Sequence, residues 1–79
     1  MGRQPIGEEE RKFGFGVRKL REQKGFSQEA FAHHLNIDRS YQGRIERGQA
    51  SVTLHKINLI ARAFGLAKWE LFKKIEENQ

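Results

Sequence analysis

The stretch SQEAFAHHLNIDRSYQGRIERG, from Ser27 to Gly48, constrains the fold more than any other part of the chain. Ser27 is a strong N-cap, and Glu29 places an acid in the helical turn that follows. Phe31, Ala32 and Leu35 recur at helical spacing and define one apolar face. Asn36 falls where the chain has to turn, and asparagine tolerates the left-handed conformation better than most residues. Asp38 is placed to cap a second helix, which runs to about Arg47 and stops at Gly48. Ile45 anchors that helix inward. Two helices this short, with so few residues between them, cannot lie antiparallel. They cross steeply, and the second is presented outward.

Helical periodicity continues on both sides of this pair. A first helix is expected over about Glu8 to Lys24, opened by Glu8, Glu9 and Glu10 and closed by Lys24 and Gly25. Its core stripe is Phe13, Val17 and Leu20, with Phe15 off the stripe. Gly14 and Gly16 each weaken it by about 1 kcal/mol relative to alanine. Either they permit close packing or the helix begins later. A fourth helix is expected from about Leu54 to Phe64, capped by Thr53 and stopped by Gly65. Leu54, Ile57, Ile60, Ala61 and Phe64 form its buried face, and Leu59 lies on another side. A fifth covers about Lys68 to Ile75. Its Trp69, Leu71, Phe72 and Ile75 cannot all face one small core, which points to a second partner. Residues 1–7 read as a flexible N-terminal arm, 8–76 as the folded domain and 77–79 as a frayed tail. No strand-period alternation or internal repeat is visible. The expected fold is all-α, a compact five-helix bundle containing a helix-turn-helix, with its second short helix available to a DNA major groove.

Charge agrees with that partner. Lys and Arg total 15 against 10 Asp and Glu, a net +5 that favours a polyanion. At 79 residues the chain is one small domain with a limited core, a candidate for self-association. The absence of cysteine excludes disulfides and thiolate chemistry and suits the cytoplasm. No apolar run approaches membrane-spanning length. Of the three histidines, His33 and His34 are adjacent and point about 100° apart, unlike the i,i+4 pair of a zinc helix. With no Gly-rich phosphate loop after a strand and no nucleophile elbow, an enzyme is not expected, nor a catalytic residue, metal or cofactor.

The segment from Phe13 to Phe72, about three quarters of the chain, resembles the Cro/CI-type (XRE-type) helix-turn-helix domain of phage repressors and small bacterial regulators, the lambda-repressor-like DNA-binding fold. VRKLREQKGFSQEAFA, RSYQGRIERG and SVTLHKINLIARAFGL carry the resemblance, in order and with the right short spacings. Within that family the lead-in FGFGVRKLREQKG, the Arg-Ser-Tyr start of the third helix and the WELF ending look most like controller proteins of restriction–modification systems. The resemblance implies a sequence-specific, autoregulatory transcription regulator that binds double-stranded DNA as a homodimer on a palindromic operator. A DNA-binding antitoxin or a phage-type repressor acting through a protein partner is the alternative. Glu29 matches a family position that touches the sigma subunit of RNA polymerase, although a first-turn helix acid explains it equally well. Two residues depart from the family pattern. Gln42 stands where an aliphatic side chain is usual, and Gly43 where a small polar one is common. They either leave a locally weakened helix, or turn Gln42 to solvent while Gly43 lets DNA approach closely.

Positions 40, 43, 44 and 47 share one helical face, with Arg39 at its N-terminal end. Arginine grips guanine O6 and N7 with two hydrogen bonds, which marks Arg39 and Arg44 as base readers. Ser40 suits a base or a phosphate, and Tyr41 a phosphate or a thymine methyl. Gln28, at a helix N-terminus, matches the family's phosphate-binding glutamine. Arg47, Gln49 and Ser51 lie near a second such terminus at Thr53. Glu46 is expected to pair with Arg18 or Arg21 rather than touch DNA. Leu59, Trp69, Phe72 and Ile75 are the candidate dimer interface.

Overall fold

Local capping chemistry sets the element boundaries in the computed structural model, which describes residues 7–79. Five helices follow in order: α1 Glu8–Gln23, α2 Gln28–Leu35, α3 Arg39–Glu46, α4 Leu54–Ala63 and α5 Lys68–Glu77. No strand is present among the described residues. The expected arm lies outside them except for Gly7, which occupies the N-cap of α1 and donates its N–H to Glu10 Oε1 at 3.0 Å. Ser27 Oγ accepts from the Ala30 N–H at 3.0 Å, and Thr53 Oγ1 from the Lys56 N–H at 3.1 Å, so both expected caps form. Asn36 is left-handed, with φ 58° and ψ 46°. Asp38 sits at the N-cap of α3, but its side chain makes no capping hydrogen bond, contrary to expectation.

The core is a single cluster drawn from all five helices. Val17, Phe31, Ile45, Ile60 and Leu71 are fully buried at its centre. Phe31 stacks on Phe64 with ring centroids 5.0 Å apart, and Phe26 meets Phe31 edge-on at 5.3 Å. Gly14 and Gly16 are packing residues inside an intact helix. A Cβ on Gly14 would overlap the Ile45 carbonyl oxygen and come within 2.8 Å of the Glu46 carbonyl oxygen. A Cβ on Gly16 would lie 2.7 Å from Ile75 Cγ2. The backbone of α1 therefore rests directly on the C-terminal end of α3. Gly48 makes a second close approach: its φ is +72°, and a Cβ there would stand 2.6 Å from Arg11 Cα.

Three expectations need correction. Leu54 is 78 % exposed. Burial rises along α4 from Leu54, through half-buried Ile57, to buried Ile60 and Ala61, so the apolar face is right but the core ends before its first turn. Ile75 is only 3 % exposed and belongs to the core beneath Gly16. It is not a surface residue. The tail is tied down rather than frayed. Helix α5 runs through Glu77, Asn78 Nδ2 donates to the Lys74 carbonyl at 2.8 Å, and Gln79 Nε2 donates to the carbonyls of Lys12 at 2.9 Å and Ile75 at 2.7 Å.

Candidate nucleic-acid interface

Helix α3 divides into two sides. Gln42, Gly43, Ile45 and Glu46 are buried, whereas Arg39, Ser40, Arg44 and Arg47 are exposed. Tyr41 lies between, half-buried against the core. The Arg44 guanidinium carbon is 5.5 Å from the Tyr41 ring centroid, a cation–π contact that limits where this arginine swings. Arg47 Nε donates to Gln49 Oε1 at 3.0 Å, and Gln49 and Ser51 are exposed on the loop that follows. Arg39, Ser40, Arg44, Arg47, Gln49 and Ser51 are thus each accessible, and three of them are cations.

The inner side explains why the outer one is held out. Both oxygens of Glu46 accept two hydrogen bonds. Oε2 accepts from Arg21 Nε at 2.7 Å and Gln42 Nε2 at 2.7 Å; Oε1 accepts from Arg21 Nη2 at 3.0 Å and Gln28 Nε2 at 3.1 Å. Arg21 Nη1 also donates to the Phe26 carbonyl at 2.7 Å. Of the two arginines expected to pair with Glu46, Arg21 does so, whereas Arg18 bridges Glu22 at 3.1 Å. Burial pushes the Glu46 carboxyl up, but the hydrogen bonds from Arg21, Gln42 and Gln28, with the Arg21 charge, outweigh it and hold its pKa below the ordinary 4.5. One carboxylate thereby joins α1, α2 and α3.

This network revises two readings. Gln42 does not turn to solvent. It is fully buried and donates to Glu46 one helical turn later, while its Oε1 has no hydrogen-bond partner. The i,i+4 relation between Gln42 and Glu46 is the signal that sequence reasoning passed over. Gly43 lies at the edge of the outward arc by helical angle, toward Glu46, and it is buried, because the side chains of Gln28 and Arg47 close over it. A Cβ there would be 3.4 Å from Gln28 Oε1 and 3.0 Å from Arg47 Nη1. It is therefore removed from the contact set, and its bareness serves the two polar side chains above it.

On α5, Trp69 is 68 % exposed and Phe72 is 43 % exposed, with the Phe72 ring centroid 5.9 Å from that of Phe13. Leu59 is half-buried against the core. No described helix is long and apolar enough to cross a membrane.

Comparison with known proteins places this geometry in company. The helix-turn-helix family matches residues 17–68. Control protein C.MunI from a Mycoplasma species is 39 % identical over 67 residues, which span 84 % of this chain and 90 % of that protein. The crystal structure of the restriction–modification controller protein C.AhdI from Aeromonas hydrophila superposes with a TM-score of 0.76 at 45 % identity, covering 81 % of this chain and 97 % of that one. The controller protein C.Esp1396I, solved as a tetramer in complex with its natural 35 base-pair operator, matches with a TM-score of 0.76 at 29 % identity over 86 % of this chain and 90 % of that one.

Proposed function

Because this chain belongs to the helix-turn-helix family, we propose that it is a sequence-specific transcription regulator of the restriction–modification controller type, binding double-stranded operator DNA as a homodimer and acting on its own promoter in the cytoplasm. The observation that carries this reading is the cationic outer side of α3, fastened from behind through Glu46 and left clear of the rest of the fold. Arg39 and Arg44 read guanine edges. Ser40, Tyr41, Arg47, Gln49 and Ser51 hold the flanking backbone. Gln28 sits at the start of α2, where free N–H groups favour a phosphate, with its amide already oriented by Glu46. A polymerase contact, in an activating role, runs through Glu29, exposed in the first turn of α2.

Arg44→Ala tests base reading directly. Discrimination between operator and random duplex is expected to fall by about 5- to 100-fold by fluorescence anisotropy, with the melting temperature unchanged because the side chain is exposed. An equal loss on both duplexes would put Arg44 on phosphate.

A single domain of this size meets only a few base pairs, so specificity calls for two copies on half-sites about one helical turn apart. Trp69 and Phe72, with Leu59 as a further candidate, supply the apolar surface for pairing. Trp69→Ala is expected to weaken self-association about 30-fold, the ratio set by about 2 kcal/mol, as read by sedimentation equilibrium. An unaltered dimer would move the interface elsewhere.

A further inference from the structure

The three helix starts around the candidate interface are not alike. Ser27 and Thr53 turn their side-chain oxygens back onto an N–H of their own helices. Asp38 does not. Its backbone is extended, with φ −66° and ψ 141°, and its carbonyl accepts from the Gln42 N–H at 3.0 Å. Its carboxylate takes no part in the cap or in any ion pair among the described residues. The residue is exposed and lines an open polar groove with Tyr41, Arg44 and Lys56, on the same side of the molecule as the arginine assigned to base reading.

An uncommitted acid on a DNA-facing surface is selective about what it meets. Against a phosphate it is repelled. Against a base edge it accepts a hydrogen bond from an exocyclic amine, and cytosine N4 is the major-groove donor that aspartate suits. Arg44 and Lys56 in the same groove keep the local charge favourable while the acid approaches the duplex. We propose that Asp38 is a specificity-determining residue that accepts a hydrogen bond from the N4 amine of one cytosine in each half-site. The inference rests on the proposed DNA-reading function.

Asp38→Ser separates this role from capping, because serine caps a helix about as well as aspartate but lacks the charge and the reach. Wild-type and variant proteins are each used to select duplexes from a randomised pool. The wild-type pool is expected to require cytosine at one position of each half-site. The variant is expected to lose that preference by about 5- to 100-fold while keeping the others. Superimposable profiles with uniformly tighter binding would make Asp38 a repelling charge only, and superimposable profiles with unchanged or weaker binding would leave it no role beyond a cap that serine replaces. Either result overturns the inference and leaves the regulator reading standing. Selection of no sequence by the wild type would remove both.

Discussion

Glu46→Ala is expected to destabilise the domain by about 3–5 kcal/mol, the cost of leaving a buried charge without its partner. The Arg21 and Glu46 side chains are 8 % and 2 % exposed and share two hydrogen bonds, so water cannot replace the lost acceptor without opening the core. After truncation Arg21 retains only the Phe26 carbonyl, and the amides of Gln42 and Gln28 lose their acceptor as well. Against a total stability of about 5–15 kcal/mol for a small domain, such a loss leaves a substantial unfolded fraction. Urea denaturation followed by circular dichroism measures it. A change below about 1 kcal/mol would class this pair with the exposed bridge between Arg18 and Glu22. The same residue sets an acid limit. Its pKa in the folded protein lies below its ordinary 4.5, so the stability it contributes is complete above that value and is lost as pH falls through the lower, folded one. Thermal melts between neutral and strongly acidic pH are expected to show this loss in the wild type. It should shrink in Glu46→Gln, which cannot titrate.

Gly14→Ala is the second change with a large expected effect, and it runs against helix propensity. In an exposed helix the substitution would gain about 1 kcal/mol. Here the added methyl would overlap the Ile45 carbonyl oxygen and crowd that of Glu46, both parts of the α3 backbone. Backbone does not rotate aside, so α1 and α3 have to separate. The expected net loss is about 1–3 kcal/mol in chemical denaturation, with weaker operator binding as α3 tilts. Gly16→Ala is the internal comparison. Its methyl would come within 2.9 Å of the Cβ, Cγ1 and Cγ2 of buried Ile75, a branched side chain that cannot rotate clear, so a loss is expected there too, through α5 instead of α3. A stabilised Gly14→Ala protein would mean the two helices are less tightly seated than described.

What the sequence disclosed and what it hid divide along a physical line. Ser27, Thr53, Asn36 and Gly65 act within a few residues of themselves, and the structure has each where local chemistry put it. Periodicity gives the direction of each apolar face but not the reach of the core, and Leu54, on that face, lies beyond it. On α5 the pairs Leu71 with Ile75 and Trp69 with Phe72 form two separate stripes. Nothing local says which one turns inward, and the structure buries Ile75 while it leaves Trp69 and Phe72 exposed. Gly43 and Gly14 take their meaning from groups on other helices, Gln28 and the Ile45 and Glu46 carbonyls, and Gln42 from sharing Glu46 with Arg21 and Gln28. Their residue types were conspicuous in the sequence, but their roles were not.

The buttressing of α3 from its concealed side has a consequence for how such a protein changes over generations. Arg39, Ser40 and Arg44 appear in none of the hydrogen bonds that fix the helix in place, whereas Arg21, Gln28, Gln42 and Glu46 supply them. The lettering can be exchanged without disturbing the mount. A lineage can therefore acquire a new binding site by a few outward substitutions, each tried on a frame whose folding is already secured.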